Sequence, residues 1–503
     1  MGVEKLGEKD PVYEELVNIL GDRVSKDPEI RWTYTRDLEG PLTTDLKRLR
    51  RLPDYVVLPE TTEEVQKIVL IARNYKVPIT LESTRISVKG LAVAIRGGIF
   101  IDLRRMNRIL EIDEENMTAT VQPGVTIAQL SCELQKRNML IPVPGTPATV
   151  SVVSNYLGCG WPGGKARMLS IGLGYRSVVG VEMVLPDGTI LNTGSKSDVF
   201  IGKDFWPHGM GPDLFLLPYK AYGAFGIITK MTVKCTPIEK ELKVFWIAYD
   251  NIDSAMEAHN RIVRLDLVPN LHLYAGDKYA GYANDTLESH DRMNRAQPEF
   301  QIILTLAGTK RQVEYQEKVI RKIAKETGGR IIVDKLPIYQ SFIDSHLGMA
   351  GSFGAVWSMR YYTSRGGSWT STPTLPVDKI PDNWKAFSRA ILKDPDYGDP
   401  NFGRGEFWRS IIVYPVEGGH YVWGVEKGVD LFIQDPKCRE MLLRLHKANL
   451  EEQAKVGISD PGFIKDWYTG SLGKPFGVHF EVSKKFKKTL DPDNVMQPGY
   501  IYP

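Results

Sequence analysis

The order of strand-like and helix-like segments is the feature of this sequence that most restricts its fold. From Tyr55 to about Pro237, short runs rich in β-branched residues alternate with helical patterns, as in small α/β units. After Pro237 the order becomes strand, helix, strand, and the segments EFQIILTLAG, RQVEYQEKVIRKIAKETGG and RIIVDK repeat it. Two such passages in succession predict an antiparallel sheet with helices on one face. The sequence therefore predicts an α+β protein, and 503 residues are too many for a single core.

Composition and charge exclude several classes of protein. The formal net charge is only +3, and Lys and Arg are scattered along the chain, so we expect no nucleic-acid partner. No run approaches the roughly 20 apolar residues that a transmembrane helix needs, so we expect no membrane span. The amino terminus has no apolar segment of signal-peptide type, which favours a cytoplasmic protein. The four cysteines form no CxxC pair or Cys/His cluster, so no metal site is expected.

A dinucleotide-binding fingerprint of the Rossmann type is not found. Such a site needs GxGxxG between a first strand and a helix, because the glycines let the backbone approach the pyrophosphate. The segment GLGYRS at residues 172–177 comes nearest, but it lacks the downstream glycine. A nucleotide cofactor would therefore have to be bound by another kind of loop.

Six short segments occur in order and with plausible spacing: YVVLPETTEEVQKIV, GGIFIDLRRMNRILEID, TATVQPGVTIAQL, VVGVEMVLPDGTIL, MGPDLFLLPYKAYGAFGIITK and LDPDNVMQPG. Together they resemble the FAD-binding domain of the vanillyl-alcohol oxidase and p-cresol methylhydroxylase superfamily. The resemblance covers roughly residues 50–240 and the last twenty residues. It implies a two-subdomain FAD-binding domain over residues 1–240, completed by residues 470–503, and a substrate or cap domain over residues 241–469.

The resemblance places the FAD pyrophosphate against the loop after the first β-α-β passage, which spans residues 78–90. This loop has a single glycine, Gly90, but peptide N–H groups do most of the phosphate binding in such loops. Glycine is needed only where φ must be positive or where the ligand touches the Cα atom. The alternative reading is a solvated turn. The residues predicted to contact the cofactor are Glu82, Ser83, Thr84, Arg85, Ile86 and Ser87.

Two further segments are implied in cofactor binding. The run PVPGTPATVSVVSNYLGCGWPGG is rich in small residues, which let the backbone approach a flat ring closely, although an ordinary packed loop has the same composition. The resemblance also implies that the strand beginning at Gly226 lies along the adenine, where Gly226 and Ile228 would contact the cofactor. Most of that strand is expected to be core. In the first run, the predicted cofactor contacts are Pro144, Gly145, Thr146, Thr149, Ser151, Asn155, Gly158 and Cys159.

The substrate site is predicted in the aromatic and cationic part of the second domain. Removing a hydride requires a base near the substrate hydroxyl, a cation for an anionic group, and apolar walls. His420 is also a candidate for covalent attachment to the flavin, and His208 is an alternative base near the cofactor segments. Each candidate has an ordinary alternative as a solvated or core residue. The candidates are His208, Arg360, Tyr362, Glu406, Arg409 and His420.

The function predicted from these residues is that of an FAD-dependent oxidoreductase, either a dehydrogenase or an oxidase. It would take a hydride from a small alcohol, a hydroxy acid or a benzylic carbon to flavin N5. One alternative is a para-substituted phenol oxidase or methylhydroxylase with an altered phenol site, because Val88-Lys89 replaces the expected loop tyrosine. The other is a non-catalytic flavoprotein-like subunit. Since the chain has no CxxCH haem motif, we expect the electron acceptor to be dioxygen or a partner redox protein. We also expect the chain to form a homo-oligomer or to be a subunit of a redox complex.

Overall fold

The predicted α+β class is confirmed by the computed structural model, which contains separate sheets with helices packed against them. Among the described residues, sheets of four, five and two strands lie in the first half of the chain, and an eight-stranded sheet lies in the second half. The structure describes residues 10–35, 52–86, 92–142, 149–158, 174–276, 292, 296–332, 368–371, 374–396, 410–416, 419, 421–430, 436–457 and 473–502.

The first sheet has the strand order β1-β2-β4-β3, and its last three strands are parallel. Thr61 caps the third helix, because its side chain accepts a hydrogen bond from the N–H of Glu64. Apolar residues of the helices and strands, such as Leu16, Ile68 and Ile101, form one core. The strands are β1 (Val24–Ser25), β2 (Tyr55–Val57), β3 (Ile79–Glu82) and β4 (Ile99–Asp102), and the helices are α1 (Pro11–Leu20), α2 (Pro28–Thr33) and α3 (Thr62–Tyr75).

The second sheet is antiparallel, with the order β5-β6-β10-β8-β9, and a helix packs on its apolar face. Leu130 and Leu134 of that helix share a core with Val121 and Met231 of the sheet. Strands β7 and β11 pair with each other in a separate two-stranded sheet. The elements are β5 (Ile109–Asp113), β6 (Thr118–Val121), α4 (Ile127–Gln135), β7 (Met139–Leu140), β8 (Val178–Val184), β9 (Ile190–Asn192), β10 (Ile227–Lys234) and β11 (Thr236–Pro237).

The third sheet has the order β15-β12-β14-β13-β18-β19-β16, with β17 paired to β19, and all of these pairings are antiparallel. Its strands are β12 (Glu241–Tyr249), β13 (Asn270–Gly276), β14 (Phe300–Gly308), β15 (Arg330–Ile331), β16 (Ser368–Ser371), β17 (Thr374–Leu375), β18 (Ser410–Val416) and β19 (Tyr421–Asp430). The helices that follow in the chain are α5 (Ile252–Arg264), α6 (Lys310–Glu326), α7 (Ile380–Leu392) and α8 (Pro436–Ala454).

The two faces of the third sheet carry different side chains. Phe245, Leu273 and Ile302 belong to one face and share a core with helix residues such as Ile262 and Phe387. The alternate positions of the same strands point to the opposite side, which we call the second face. These positions are buried too, although several are polar. In the described strands they include Val244, Trp246, Ala248, His272, Tyr274, Gln301, Ile303 and Thr305.

The end of the chain returns to the first half of the fold. Helix α9 (Gly473–Leu490) contains a kink at Gly477, whose φ is +46°. After the helix, the N–H of Ile79 in β3 donates to the carbonyl of Val495, and the N–H of Gln497 donates to the carbonyl of Ile79. The last residues therefore extend the first sheet beside β3.

Candidate active site

We call the region at the carboxyl ends of the parallel strands β3 and β4, where residues 82–86 meet residues 149–158, the crevice. Glu82 and Asp102 are register partners at the ends of these strands, so the loop at residues 83–86 leaves the sheet beside Asp102. Ligands of open α/β sheets bind outside the carboxyl ends of parallel strands, because no further backbone covers that edge. The predicted cofactor loop therefore lies at the edge of the sheet where such a ligand is expected.

The second predicted segment, residues 149–158, lies directly against this loop. The hydroxyls of Ser83 and Ser154 are hydrogen-bonded at 2.6 Å, and the N–H of Ser151 donates to Oγ1 of Thr84 at 3.1 Å. Ser151 is fully buried, and its hydroxyl donates to the carbonyl of Pro123 at 2.6 Å. Ser154–Gly158 form a π-helical turn, a geometry that is frequent at functional sites. Two segments about 70 residues apart in sequence are thus joined by short hydroxyl side chains.

Arg85 explains how the loop turns without a glycine. Its φ is +61°, in the left-handed region that costs a side-chain-bearing residue roughly 1–2 kcal/mol. The guanidinium donates to Glu82 at 3.0 Å and to the carbonyl of Thr33 at 2.7 Å, and it lies 4.3 Å from the ring centroid of Tyr34. These contacts hold the strained residue in place. The cation of Arg85 is therefore engaged in shaping the loop.

A buried polar cluster below the loop was missed by the sequence analysis. Asp102 is fully buried, accepts a hydrogen bond from the hydroxyl of Tyr34 at 2.8 Å, and pairs with Arg104 at 2.7 Å. Burial and the Asp102 carboxylate raise the pKa of Tyr34 to about 12, so this hydroxyl stays protonated at neutral pH. The sequence signal was the carboxylate at the end of the apolar strand IFID. Its partner Tyr34, 68 positions away, had no such signal.

The residues present fit a cofactor with a diphosphate. Within the described residues, the N–H groups of Thr84, Arg85 and Ile86 donate to no acceptor of the chain. Unused peptide N–H groups in a turn are the groups that bind phosphate oxygens. Glu82 and Ser83 are buried behind them. Among the described residues, only Cβ of Ser154 lies within 4 Å of a Cβ atom placed on Gly158, at 3.9 Å. The loop at residues 84–86 thus offers the donors, and Gly158 presents backbone without a side chain.

Gly226 and Ile228 are predicted to lie along the adenine. Contacts within the chain already explain the glycine at residue 226 and the apolar side chain at residue 228. Gly226 has a φ of +150°, and a Cβ atom there would lie 2.6 Å from the carbonyl oxygen of Val184. The half-buried Ile228 packs against the core of the second sheet. Glycine is therefore required at residue 226 by packing alone, and the adenine contact stays a prediction.

The carboxyl-terminal residues are hydrogen-bonded to loops in the first half of the chain. Nζ of the buried Lys487 pairs with Asp491 and donates to the carbonyl of Ala224 at 3.0 Å and of Met496 at 2.7 Å. The hydroxyl of Tyr500 accepts from the N–H of Val93 at 2.8 Å and donates to the carbonyl of the same residue. The loops at residues 93 and 224 and strand β3 are thereby held by a segment that follows them by hundreds of residues.

His208 is the one predicted catalytic residue that the structure describes. Its ring is hydrogen-bonded to Asp213 at 2.8 Å, and half of the side chain is exposed. It lies on a segment with other exposed large side chains, among them Phe200 and Met210. A base that removes a substrate proton in a water-excluded site would be more buried than this, so the role of His208 stays a prediction.

The other predicted residues lie outside the described residues. In the cofactor set these are Ser87, Pro144, Gly145, Thr146 and Cys159, and in the catalytic set Arg360, Tyr362, Glu406, Arg409 and His420. The strands that follow two of these runs are described. Ser410, the residue after Arg409, opens β18 opposite Gly428, and Thr370 of β16 is also opposite Gly428. Strand β16 follows Arg360 and Tyr362 in the chain, and strand β18 follows Glu406 and Arg409. These two strands therefore begin at the same end of the third sheet.

Two properties of the described residues bear on other predictions. They contain no group of His, Cys, Asp and Glu side chains arranged to hold a metal ion. Among them, no helix has both the length and the apolar surface to traverse a bilayer.

Comparison with known proteins identifies the amino-terminal part. The family model described as an FAD binding domain matches residues 53–194, which include both sides of the crevice. The glycolate oxidase subunit GlcD of Bacillus subtilis (strain 168) is 30% identical over 259 residues, which make up 51% of this chain and 52% of that protein. "Probable D-lactate dehydrogenase, mitochondrial" of Danio rerio is 26% identical over 473 residues, 90% of this chain and 84% of that protein. The chain thus matches about half the length of the first relative and most of the second.

The similarity to a solved structure covers nearly the whole chain. The crystal structure of p-cresol methylhydroxylase with substrate bound superposes with a TM-score of 0.79 at 21% identity, covering 98% of this chain and 96% of that one. At this identity the superposition establishes the fold, while the domain match establishes the cofactor, FAD. The chain therefore contains an FAD-binding domain at residues 53–194 and has the fold of p-cresol methylhydroxylase, as the resemblance in the sequence predicts.

Proposed function

We propose that the chain binds FAD in the crevice between residues 82–86 and 149–158 and oxidises a small hydroxyl-bearing molecule. The observation that carries this proposal is the junction of the two segments through Ser83–Ser154 and Thr84–Ser151 at the carboxyl end of the parallel strands. It is supported by the family match, which spans both segments. The domain division at residues 240 and 470 is part of the same proposal.

The residues of the crevice would hold FAD mainly through the backbone. The N–H groups of Thr84–Ile86 would donate to the diphosphate, and the hydroxyls of Ser83 and Ser154 would fix the separation of the two segments. Arg85 would act through the shape of the loop, since its guanidinium is bound to Glu82 and Thr33. When bound, FAD accepts two electrons as a hydride, and the protein supplies orientation and electrostatics. The remaining predicted contacts on residues 87, 144–146 and 159 belong to this proposal.

A 2-hydroxy acid is the substrate class that we favour. The two relatives described above are named for the oxidation of glycolate and D-lactate, which are both small 2-hydroxy acids. Such a substrate needs a cation for its carboxylate and a base for its hydroxyl proton. Arg360 or Arg409 would bind the carboxylate, and Glu406, His420 or His208 would take the proton. Tyr362 would contribute to the apolar wall.

The electron acceptor is either dioxygen or a separate redox protein. Electrons must leave the chain because it contains no CxxCH haem motif or cysteine cluster that could serve as a second redox centre. If the acceptor is a redox protein, the chain is either a subunit of a stable complex with it or a transient electron donor to it. Reoxidation in air, compared with reoxidation by a soluble dye, separates these two cases.

Anaerobic reduction of the purified protein by a panel of compounds tests the function. The panel contains glycolate, both enantiomers of lactate, benzyl alcohol, 4-hydroxybenzyl alcohol and p-cresol. We expect near-stoichiometric flavin absorption and bleaching by a 2-hydroxy acid. Bleaching by p-cresol alone would instead assign a phenol-oxidising enzyme. A protein that neither contains nor takes up FAD would contradict the proposal. Acid precipitation then shows whether the flavin is attached covalently, as predicted for His420.

A further inference from the structure

The second face of the third sheet is a buried surface with polar groups in it. Antiparallel sheets usually pack one face on a core and leave the other to solvent. Here Trp246 and Gln301 are fully buried, and Tyr274 is 3% exposed, on the side opposite to the helices. Burying polar side chains costs free energy unless they are hydrogen-bonded, so polar groups on such a face need an explanation.

Gln301 lies at the centre of a cross-strand row on this face. The register pairs it with Ala248 on one neighbouring strand and with Tyr274 on the other. Nε2 donates to the carbonyl of Pro298 at 3.0 Å, which fixes the orientation of the amide, because a carbonyl can bond only to the donor end. The Oε1 acceptor therefore points away from Pro298.

Oε1 of Gln301 is buried, and no group in the described part of the chain donates to it. Leaving a buried acceptor unbonded costs free energy, because the group has lost its hydrogen bonds to water and has gained none in return. A donor from outside the described part of the chain accounts for a position that keeps this cost. The partner of Oε1 must carry an O–H or N–H group.

The neighbours of Gln301 restrict what the partner can be. Ala248 is the small neighbour on one side, while Tyr274 and His272 form an aromatic wall, with ring centroids 6.1 Å apart and nearly perpendicular. Trp246 extends this wall in the next row of the same face. Aromatic side chains around a few polar atoms are the usual composition of a small-molecule site. Such a site fits a small molecule with a hydroxyl group.

We propose that Oε1 of Gln301 accepts the hydrogen bond of the substrate hydroxyl and so determines specificity for hydroxyl-bearing substrates. This inference rests on the proposed function and names a residue that the sequence analysis did not select. An amide is too weakly basic to remove the hydroxyl proton, so Gln301 orients the substrate and another residue is the base. A buried water molecule is the competing occupant.

Binding of matched ligand pairs to the full-length holoprotein tests the inference. The pairs are D-lactate with propionate and benzyl alcohol with toluene, which differ only in the hydroxyl group. In the wild type, perturbation of the flavin spectrum is expected to show a preference for the hydroxylated member. The Gln301→Met variant keeps the size of the side chain and removes the acceptor. We expect this preference to fall about tenfold, as for the loss of one hydrogen bond.

The control is Thr305→Val, a conservative change four residues along the same strand and on the same face. We expect it to keep the ligand preference, and both variants to keep their flavin content. An unchanged preference in Gln301→Met with full flavin content would overturn the inference and leave water as the occupant. A preference that depends on Gln301 without flavin bleaching would uphold it while contradicting the proposed function. Binding of no hydroxylated compound by the wild type would overturn it.

Discussion

The crevice in the first half of the chain and the second face of the third sheet present different chemical groups to a ligand. The crevice offers peptide N–H groups at residues 84–86 and the short hydroxyls of Ser83 and Ser154. The second face offers the side chains of Gln301, Tyr274 and Trp246. Backbone groups are common to all residues, so they suit a cofactor shared by a superfamily. Side chains differ between members, so they suit a substrate that is specific to one protein.

The two regions also differ in how they are held together. The first half of the chain joins segments distant in sequence through single hydrogen bonds, which include the bond from the buried Lys487 to Ala224. The third sheet has a continuous apolar core on its helix side, which includes Phe245, Ile302 and Leu445. We therefore expect single polar substitutions to damage the crevice more than the sheet. Three predictions follow from this difference, beginning with the largest effect.

Lys487→Met is expected to have the largest effect. It removes the cation that pairs with Asp491 and binds the carbonyls of Ala224 and Met496. Losing one partner of a buried ion pair costs about 3–5 kcal/mol, because the other charge stays buried alone. We expect a lower midpoint in urea unfolding and early release of FAD. The control, Lys484→Met, breaks a pair with the exposed Glu481 and should change stability much less. Equal effects of the two substitutions would contradict this role for the carboxyl-terminal segment.

Acid should act first on the second half of the chain, through His259 in α5. Burial lowers the pKa of His259 to about 4, from an ordinary value of 6.5. As the pH falls below 6.5 the unfolded chain binds this proton while the folded chain does not, so stability decreases until about pH 4. The slope contributed by this group is at most about 1.4 kcal/mol per pH unit. Urea unfolding between pH 7 and 4 measures it. His259→Leu should flatten the slope, and an unchanged slope in that variant would refute the assignment.

Ser83→Ala and Ser154→Ala are expected to have smaller effects, limited to the crevice. Each removes the hydrogen bond that joins the two segments, worth about 0.5–1.5 kcal/mol. The FAD dissociation constant should rise about 2- to 12-fold in either variant, measured by flavin fluorescence. The double variant should lose less than the sum of the two, because both changes remove the same bond. Fully additive losses would mean that the two hydroxyls act independently. Ser197→Ala, which removes a hydroxyl bonded to Gly194 on another loop, serves as the control.

The sequence by itself determined the order of elements, the α+β class and the identity of the cofactor. Period-2 and period-3.6 patterns depend on which residues face a core, so strands such as β14 and helices such as α6 were readable one segment at a time. The family resemblance then predicted two cofactor-binding segments from motifs in order along the chain. The structure brings Ser83 of one segment and Ser154 of the other into a hydrogen bond.

Only the tertiary structure decided the groups that depend on contacts between distant segments. The partnership of Tyr34 with Asp102, the role of Lys487 behind the crevice and the engaged guanidinium of Arg85 have no local signal. The same holds for Gln301, which the sequence presents as one polar residue in an apolar strand. The role inferred for Gln301 depends on which face of the sheet is covered by helices and on the unbonded Oε1 atom. Local patterns record whether a residue is buried, whereas the partner of a buried polar group is fixed only when the chain has folded.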